Sequence, residues 1–370
     1  MVDAQIHCVI DNGSGFIKAG FSGEEAPRFF FPNIVGRTKV EGVYVGNEKK
    51  ESIIGTEAEQ KFGILNITYP IQGGTISNWE EIEKIWHHTF FSELKIAPEE
   101  HNILLSESPF VSREDREKTL EIMFEIFNTP CIYLSAQSVL SAIAYGKSTG
   151  ISIDCGEGST NFAPIYEGFL CREAVTHIPI AGRHIHETLV KLLIQNGEVL
   201  ESKMQKEAMK KAKIELCYVS KDIENENNAN VDEYVLPDKR TIKIRDEKYK
   251  ATELLFNPKA YGYDCNSMQD QFMISINKTD MDLRNDMFAN ILFNGGTTLF
   301  KGFKERVDKE FKEVSKEYDC KKKVHCYPEA QFAAWIGGSI LSSLNTFENL
   351  WITKTEYKEV GSCIVHRKCP

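Results

Sequence analysis

Two short stretches of this chain set an aspartate and two glycines in the spacing D-x-G-x-G. The first is Asp11-Asn12-Gly13-Ser14-Gly15 and the second is Asp154-Cys155-Gly156-Glu157-Gly158. Glycine permits a tight turn and close approach of the backbone, so each stretch can turn N–H groups toward a phosphate. Asp11 and Asp154, facing each other across a cleft, would suit Mg²⁺, which keeps most of its waters and sits beside phosphates. Lys18, on the segment that follows Asp11, is placed to reach a β- or γ-phosphate. A third glycine signal, Asn294-Gly295-Gly296-Thr297-Thr298, is expected to open a helix whose positive end faces a nucleotide. A single D-x-G-x-G is ordinary turn composition; two copies with the G-G-T-T turn point to phosphate chemistry. There is no G-x-x-x-x-G-K-[ST], so the site is not of the Walker type.

The elements that must hold these residues are legible around them. Ile6, Cys8 and Ile10 alternate before the first turn, and Phe16 to Phe21 resumes an extended segment after it. Ile151 and Ile153 lead into the second turn, and Thr160 to Tyr166 leads away. Both patterns predict β-hairpins, and their recurrence suggests a duplicated α/β unit. Ser77-x-x-Glu80 predicts a capped helix start before Ile82, Ile85, Trp86 and Phe90, and Ser112-x-x-Asp115 a second one. Gln137 to Tyr145 carries helical spacing, and Gln137–Gly146, just before the second hairpin, is a candidate hinge between lobes. Further helices are expected near 182–195, 203–218, 282–292, 299–311 and 332–344. The Asn-rich run at 222–233 reads as a polar loop.

Composition narrows the class. The chain has 370 residues, 42% hydrophobic and 26% charged, enough to bury a large core over two or three domains. With 44 Lys and Arg against 54 Asp and Glu, the net charge of −10 argues against a general nucleic-acid binder. The run Lys321–Lys323 does not reverse that balance. No stretch reaches the ~18 apolar residues of a membrane span, and no signal peptide is expected from Met1-Val2-Asp3-Ala4-Gln5. Ten cysteines are expected as reduced thiols. Cys320, His325 and Cys326 lack a C-x-x-C pair and are not read as a zinc site.

The chain resembles the actin family over nearly its whole length. The resemblance is carried by D-N-G-S-G at 11–15, K-A-G-F at 18–21, F-P-N-I-V-G-R at 31–37, K-I-W-H-H-T-F at 84–90 and I-M-F-E-I-F-N-T-P at 122–130. A-P-E-E-H at 97–101, P-I-Y-E-G at 164–168, L-C-Y-V at 216–219, W-I-G-G-S-I-L at 335–341 and I-V-H-R-K-C at 364–369 extend it. The resemblance implies a two-lobed α/β ATPase fold built from a duplicated unit, with ATP or ADP and Mg²⁺ (or Ca²⁺) in the interlobe cleft. Its four subdomains would be 1–32, 70–144 and 332–370; 33–69; 145–180 and 265–331; and 181–264.

By that resemblance Asp11 and Asp154 hold the metal, mainly through water. Gly13, Ser14, Gly15, Lys18, Gly156, Glu157 and Gly158 surround the phosphates. Gln137 orients the attacking water, with Asn161 nearby. Gly182, Lys213, Gly295, Gly296, Thr297 and Phe300 line the rest of the nucleotide site. Departures from the family pattern are Glu157 for aspartate, Asn161 for histidine, Ile214 for glutamate, Phe300 for tyrosine, Gln331 for lysine, and Gly73 for the histidine that many actins methylate. An amide at 161 can hydrogen-bond a water but cannot take its proton.

Assembly is also implied. Gly42-Val43-Tyr44-Val45-Gly46 is an apolar triplet between glycines. Alone it reads as a strand edge or a surface knob; the resemblance places Val43, Tyr44 and Val45 on the loop that contacts the next subunit. Such heterologous contacts grow helical filaments. Tyr261 and Tyr263 would form a second contact. Ile143, Ala144, Gly146, Ser148, Phe169, Ile340, Leu341 and Leu344 resemble the groove that receives the helices of actin-binding regulators, although some of them would also be core. Only Asp3 is charged before Asp11, which implies weaker binding to basic motor-protein surfaces. The expectation is a divergent cytoplasmic, cytoskeletal actin that polymerises and slowly hydrolyses ATP, without nucleic-acid binding or membrane insertion. The alternatives are a non-polymerising actin-related subunit with structural nucleotide and, less consistent with the absence of an added substrate domain, a small-molecule kinase.

Overall fold

The alternation that begins at Cys8 becomes a strand, Cys8–Asn12, which turns at Gly13–Gly15 and pairs antiparallel with Phe16–Phe21. A computed structural model describes residues 6–38, 52–223, 226 and 230–370. The chain divides into two compact units: Met1–Ser152 with Ala163–Val175 and Phe332–Pro370, and Ile153–Phe162 with Thr176–Gln331.

The first unit is built on a six-stranded sheet. Its order is Ile352–Thr353, Cys131–Ala136, Ile103–Glu107, Cys8–Asn12, Phe16–Phe21 and Phe29–Pro32. Cys8–Asn12 and Ile103–Glu107 run parallel, as do Ile103–Glu107 and Cys131–Ala136, and all three are almost wholly buried. Such continuous apolar strands belong to a sheet covered on both faces. Trp86, Phe90, Phe124 and Trp335 are fully buried in this core. The helices Gln137–Ala144 and Ala333–Ser342 cross closely, because Gly337 has no side chain: a Cβ there would lie 1.7 Å from Leu140 O. A small three-stranded sheet, Ile53–Ile54, Val35–Thr38 and Leu65–Thr68, has its own core of Ile34, Ile53, Ala58 and Leu65.

The second six-stranded sheet has the order Phe169–Leu170, Thr160–Tyr166, Gly150–Cys155, Ile291–Asn294 and Val324–Cys326, with Thr176–Ile178 also beside Thr160–Tyr166. Within the second unit Phe272 stacks on Phe311 at 4.3 Å, and Arg306 is buried against Glu253 at 2.8 Å.

The expected helix at 112 forms with Ser112 Oγ accepting the Asp115 N–H at 3.0 Å. The other predicted cap is displaced by one residue. Asn78, not Ser77, starts Trp79–His87 and accepts the Glu81 N–H at 3.1 Å, while the Ser77 hydroxyl donates to Pro70 O. The predicted helix at 282–292 is shorter, Arg284–Ala289, and its apolar tail is the buried strand Ile291–Asn294. Short apolar runs do not distinguish the two by periodicity. Gly296–Leu299 is a single 3₁₀ turn, and the α-helix starts at Phe303, so the G-G-T-T stretch does not open that helix. The end of the Asn-rich run is a strand rather than a loop: Asp232 and Glu233 begin Asp232–Val235, which pairs with Thr241–Ile244. The triplet Val43, Tyr44 and Val45 lies outside the described residues.

Candidate functional site

In the first unit the hairpin register sets Asp11 opposite Lys18. Lys18 Nζ donates to Asp11 Oδ2 at 2.7 Å. The other carboxylate oxygen accepts from Ser106 Oγ at 2.5 Å and from Gln137 Nε2 at 2.8 Å. Asp11 is 2% exposed. Burial works against its charge, and Lys18, Ser106 and Gln137 outweigh that effect, so its carboxyl titrates below the usual range. Gln137 is the first residue of its helix, and its amide also donates to Asn12 O at 3.2 Å. Trp86 Nε1 donates to Asn12 Oδ1 at 3.0 Å and fixes the strand end.

The turn itself is held from below. Gly13 spends its N–H inside the hairpin, and a Cβ there would lie 2.5 Å from Phe16 O. Asn33 Nδ2 donates to Gly13 O, and Asn33 N–H donates to Gly15 O, both at 2.9 Å. Ser14 Oγ accepts the Gly74 N–H at 3.2 Å. Ser106 and Asn33 were not among the candidate site residues. Neither has a local signature, since both act on residues far away in the chain.

In the second unit the turn Gly156–Gly158 is braced by two segments. Gly156 O accepts from Gly182 N–H at 3.0 Å and from Thr297 Oγ1 at 2.7 Å, and Glu157 O accepts from Arg183 N–H at 3.0 Å. Lys213 is buried; its ammonium donates to Gly182 O at 2.9 Å and lies 3.4 Å from Glu157 Oε2. A Cβ on Gly182 would lie 2.5 Å from that same Glu157 oxygen, so glycine makes room for the longer carboxylate. Gly295, at φ +88°, is pressed against Cys155 O and the Asp154 carboxylate. Around Gly156 and Gly296 the positions of a Cβ are open space. Asn161 is buried, and its Oδ1 accepts from Ser159 Oγ at 3.2 Å. Ile214 is 70% exposed, while Phe300 and Gln331 are half-buried.

The family model for actin matches residues 2–370. The chain belongs to the actin family. Its mixed α/β architecture is the actin-type fold that the sequence leads one to expect. The actin family binds ATP or ADP with a divalent cation on an ATPase fold. The residues present fit that group. Each glycine turn carries a carboxylate at its base, and a cation from the chain, Lys18, already sits against Asp11. Asp11 has its oxygens bonded and is almost inaccessible, which suits contact with a hydrated ion rather than direct ligation.

The residues that resemble the partner groove all belong to the first unit. Ile143 and Ala144 end the helix Gln137–Ala144 half-buried, and Gly146 follows at φ +64°. Ser148 O accepts the Gly168 N–H at 2.7 Å, which brings the Phe169 turn alongside. Phe169, Ile340 and Leu344 are exposed, and Leu341 packs partly on the core. Tyr261 and Tyr263 are both half-buried, and the Tyr263 ring meets His184 edge-on at 6.0 Å. Among the described residues no helix is long and apolar enough to cross a membrane.

The helix Gly182–Gln195 carries a buried imidazole, His186. His186 is buried, and burial, with Lys213 and Lys210 nearby, lowers its pKa to about 3. Burial likewise lowers His184 and His7. The unfolded chain binds the His186 proton below pH 6.5 and the native one does not. Stability from this group is therefore complete above pH 6.5 and falls as pH drops toward 3. At pH 5 the loss is about 2 kcal/mol. Urea unfolding at pH 7.5 and 5.0, compared with His186→Gln, should show a smaller pH effect in the variant. An equal pH effect in both proteins rules His186 out.

Proposed function

We propose that this chain is a divergent actin that binds Mg-ATP, polymerises, and hydrolyses ATP slowly on assembly. The observation that carries this reading is the bonding of Asp11 to both Lys18 and Gln137, a charged and a neutral donor on one buried carboxylate beside a glycine turn. Asp11 and Asp154 would hold the hydrated Mg²⁺ (or Ca²⁺), which when bound neutralises phosphate charge. The Ser14–Gly15 and Glu157–Gly158 turns and Lys18 bind phosphate oxygens. Gln137 Nε2 is anchored on Asp11, leaving its carbonyl oxygen to accept a hydrogen from the attacking water. Asn161 offers no base, so positioning and charge stabilisation carry the reaction. Lys213, Gly182, Gly295, Gly296, Thr297 and Phe300 complete the nucleotide site.

Filament growth would use Val43–Val45 and the Tyr261–Tyr263 loop, and regulators would dock at the Phe169, Ile340 and Leu344 surface. The sparse N-terminal charge favours weaker motor-protein binding, in a cytoplasmic, cytoskeletal setting. The exposed Ile214, in place of a glutamate, keeps the actin-related-subunit reading as the rival. The test is sedimentation with Mg-ATP, electron microscopy and phosphate release. The expected result is filaments and slow release, with Tyr44→Asp remaining folded in the supernatant. Nucleotide binding without filaments or phosphate release supports the rival. Normal filaments from Tyr44→Asp remove that loop from the contact.

A further inference from the structure

Ser106 stands in the middle strand of three that converge on the first glycine turn. Ile103–Glu107 pairs in parallel with Cys8–Asn12 on one side, in the register Ile10↔Leu105, and with Cys131–Ala136 on the other, where Ser106 lies opposite Ser135. Asp11 follows Ile10 on the first neighbour, and Gln137 follows Ala136 on the second. Register alone therefore places one hydroxyl between the two residues assigned to the cation and to the water. That hydroxyl donates to Asp11 Oδ1 at 2.5 Å, accepts the Asn12 N–H at 2.9 Å, and lies 3.4 Å from Gln137 Nε2. Ser106 O also accepts from Asn12 Nδ2 at 3.2 Å. The residue is 2% exposed. A hydroxyl has one donor and two acceptor sites, and these three neighbours use all of them.

We infer that Ser106 is a positioning residue, whose hydroxyl fixes the Asp11 carboxylate and the Gln137 amide relative to each other. The assignment rests on the nucleotide-site reading above. An apolar core residue would serve a purely packing role at this buried position equally well. A hydroxyl that bonds both functional side chains serves orientation. Asp11 can turn about its χ angles, and Lys18 and Gln137 pull on different oxygens. The Ser106 bond restrains that rotation, and Asn12, whose N–H donates to the Ser106 hydroxyl and whose Oδ1 accepts from Trp86, keeps the strand end from shifting. Outer partners of this kind typically change metal affinity or activity 10- to 100-fold when removed.

The pair Ser106→Thr and Ser106→Val tests the inference, because the two side chains match in volume and only threonine keeps the hydroxyl. Ser106→Ala is added as the truncation. Mg²⁺ is titrated into the full-length protein with ATP present, and its affinity is read from the melting temperature. Melting in EDTA without nucleotide reports the structural cost separately, and single-turnover phosphate release reports the reaction. The expected result is about 10- to 100-fold weaker Mg²⁺ dependence and slower release in Ser106→Val and Ser106→Ala, with both restored in Ser106→Thr. Variants that melt lower in EDTA yet keep the unmodified protein's Mg²⁺ dependence overturn the assignment and leave Ser106 as packing. If the unmodified protein shows no melting response to Mg-ATP, the nucleotide reading falls, and this assignment with it.

Discussion

Asp11→Ala should lower stability by about 3–5 kcal/mol in the absence of any ligand, because it strands a largely buried cation. Lys18, with its side chain 14% exposed, loses the carboxylate 2.7 Å away, and Ser106 and Gln137 lose their acceptor. The same substitution should abolish the rise in melting temperature with Mg-ATP. A ligand at a hundred times its Kd stabilises a native state by about 2.7 kcal/mol, so that response is large enough to measure. The double variant Asp11→Ala/Lys18→Met should recover part of the intrinsic loss, since no charge is left unpaired, without recovering the Mg-ATP response. Scanning calorimetry with and without Mg-ATP separates the two effects. An Asp11→Ala protein that still responds to Mg-ATP would remove Asp11 from the site.

A comparable loss is expected for Gly295→Ala. Gly295 has φ +88° and ψ 155°, a conformation essentially reserved for glycine. An added Cβ would also lie 2.3 Å from Cys155 O and 2.7 Å from Asp154 Oδ1. The first of these neighbours is backbone, so no rotamer change relieves the overlap. Strain and overpacking together should cost about 3 kcal/mol or more, and the displaced Asp154 should weaken the response to Mg²⁺. Gly296→Ala is the control. Its Cβ would meet nothing within 4 Å, and its φ is not in the glycine-only region, so it should melt within a few degrees of the unmodified protein. Equal melting of the two variants would show that the Gly295 backbone is not what fixes Asp154.

The two hairpins, the helix capped by Ser112 and the helix that begins at Gln137 could be read from the sequence because each is set by residues within a few positions of one another. Turn glycines, a capping hydroxyl and apolar spacing act over one turn of chain. The reading failed where local signals competed. Ser77 and Asn78 both carry cap chemistry, and the choice between them fell to Pro70, whose carbonyl takes the Ser77 hydroxyl. Ile291–Asn294 is apolar enough for either helix or strand, and its place beside Val324–Cys326 made it a strand.

By itself the sequence determined which residue types the site contains: two aspartates, the glycines around them, Lys18 and Gln137. Tertiary structure decided what those groups do to one another. Lys18 lies against Asp11 because the hairpin register pairs them. Glu157 reaches Lys213 across 56 positions of sequence because Gly182 has no side chain in the way. Ser106 bonds Asp11 across 95 positions because two strands run parallel in one particular register. A hydrogen bond depends on tenths of an ångström. Local sequence can set a turn to that accuracy, but for distant residues only the packed sheet fixes the distance.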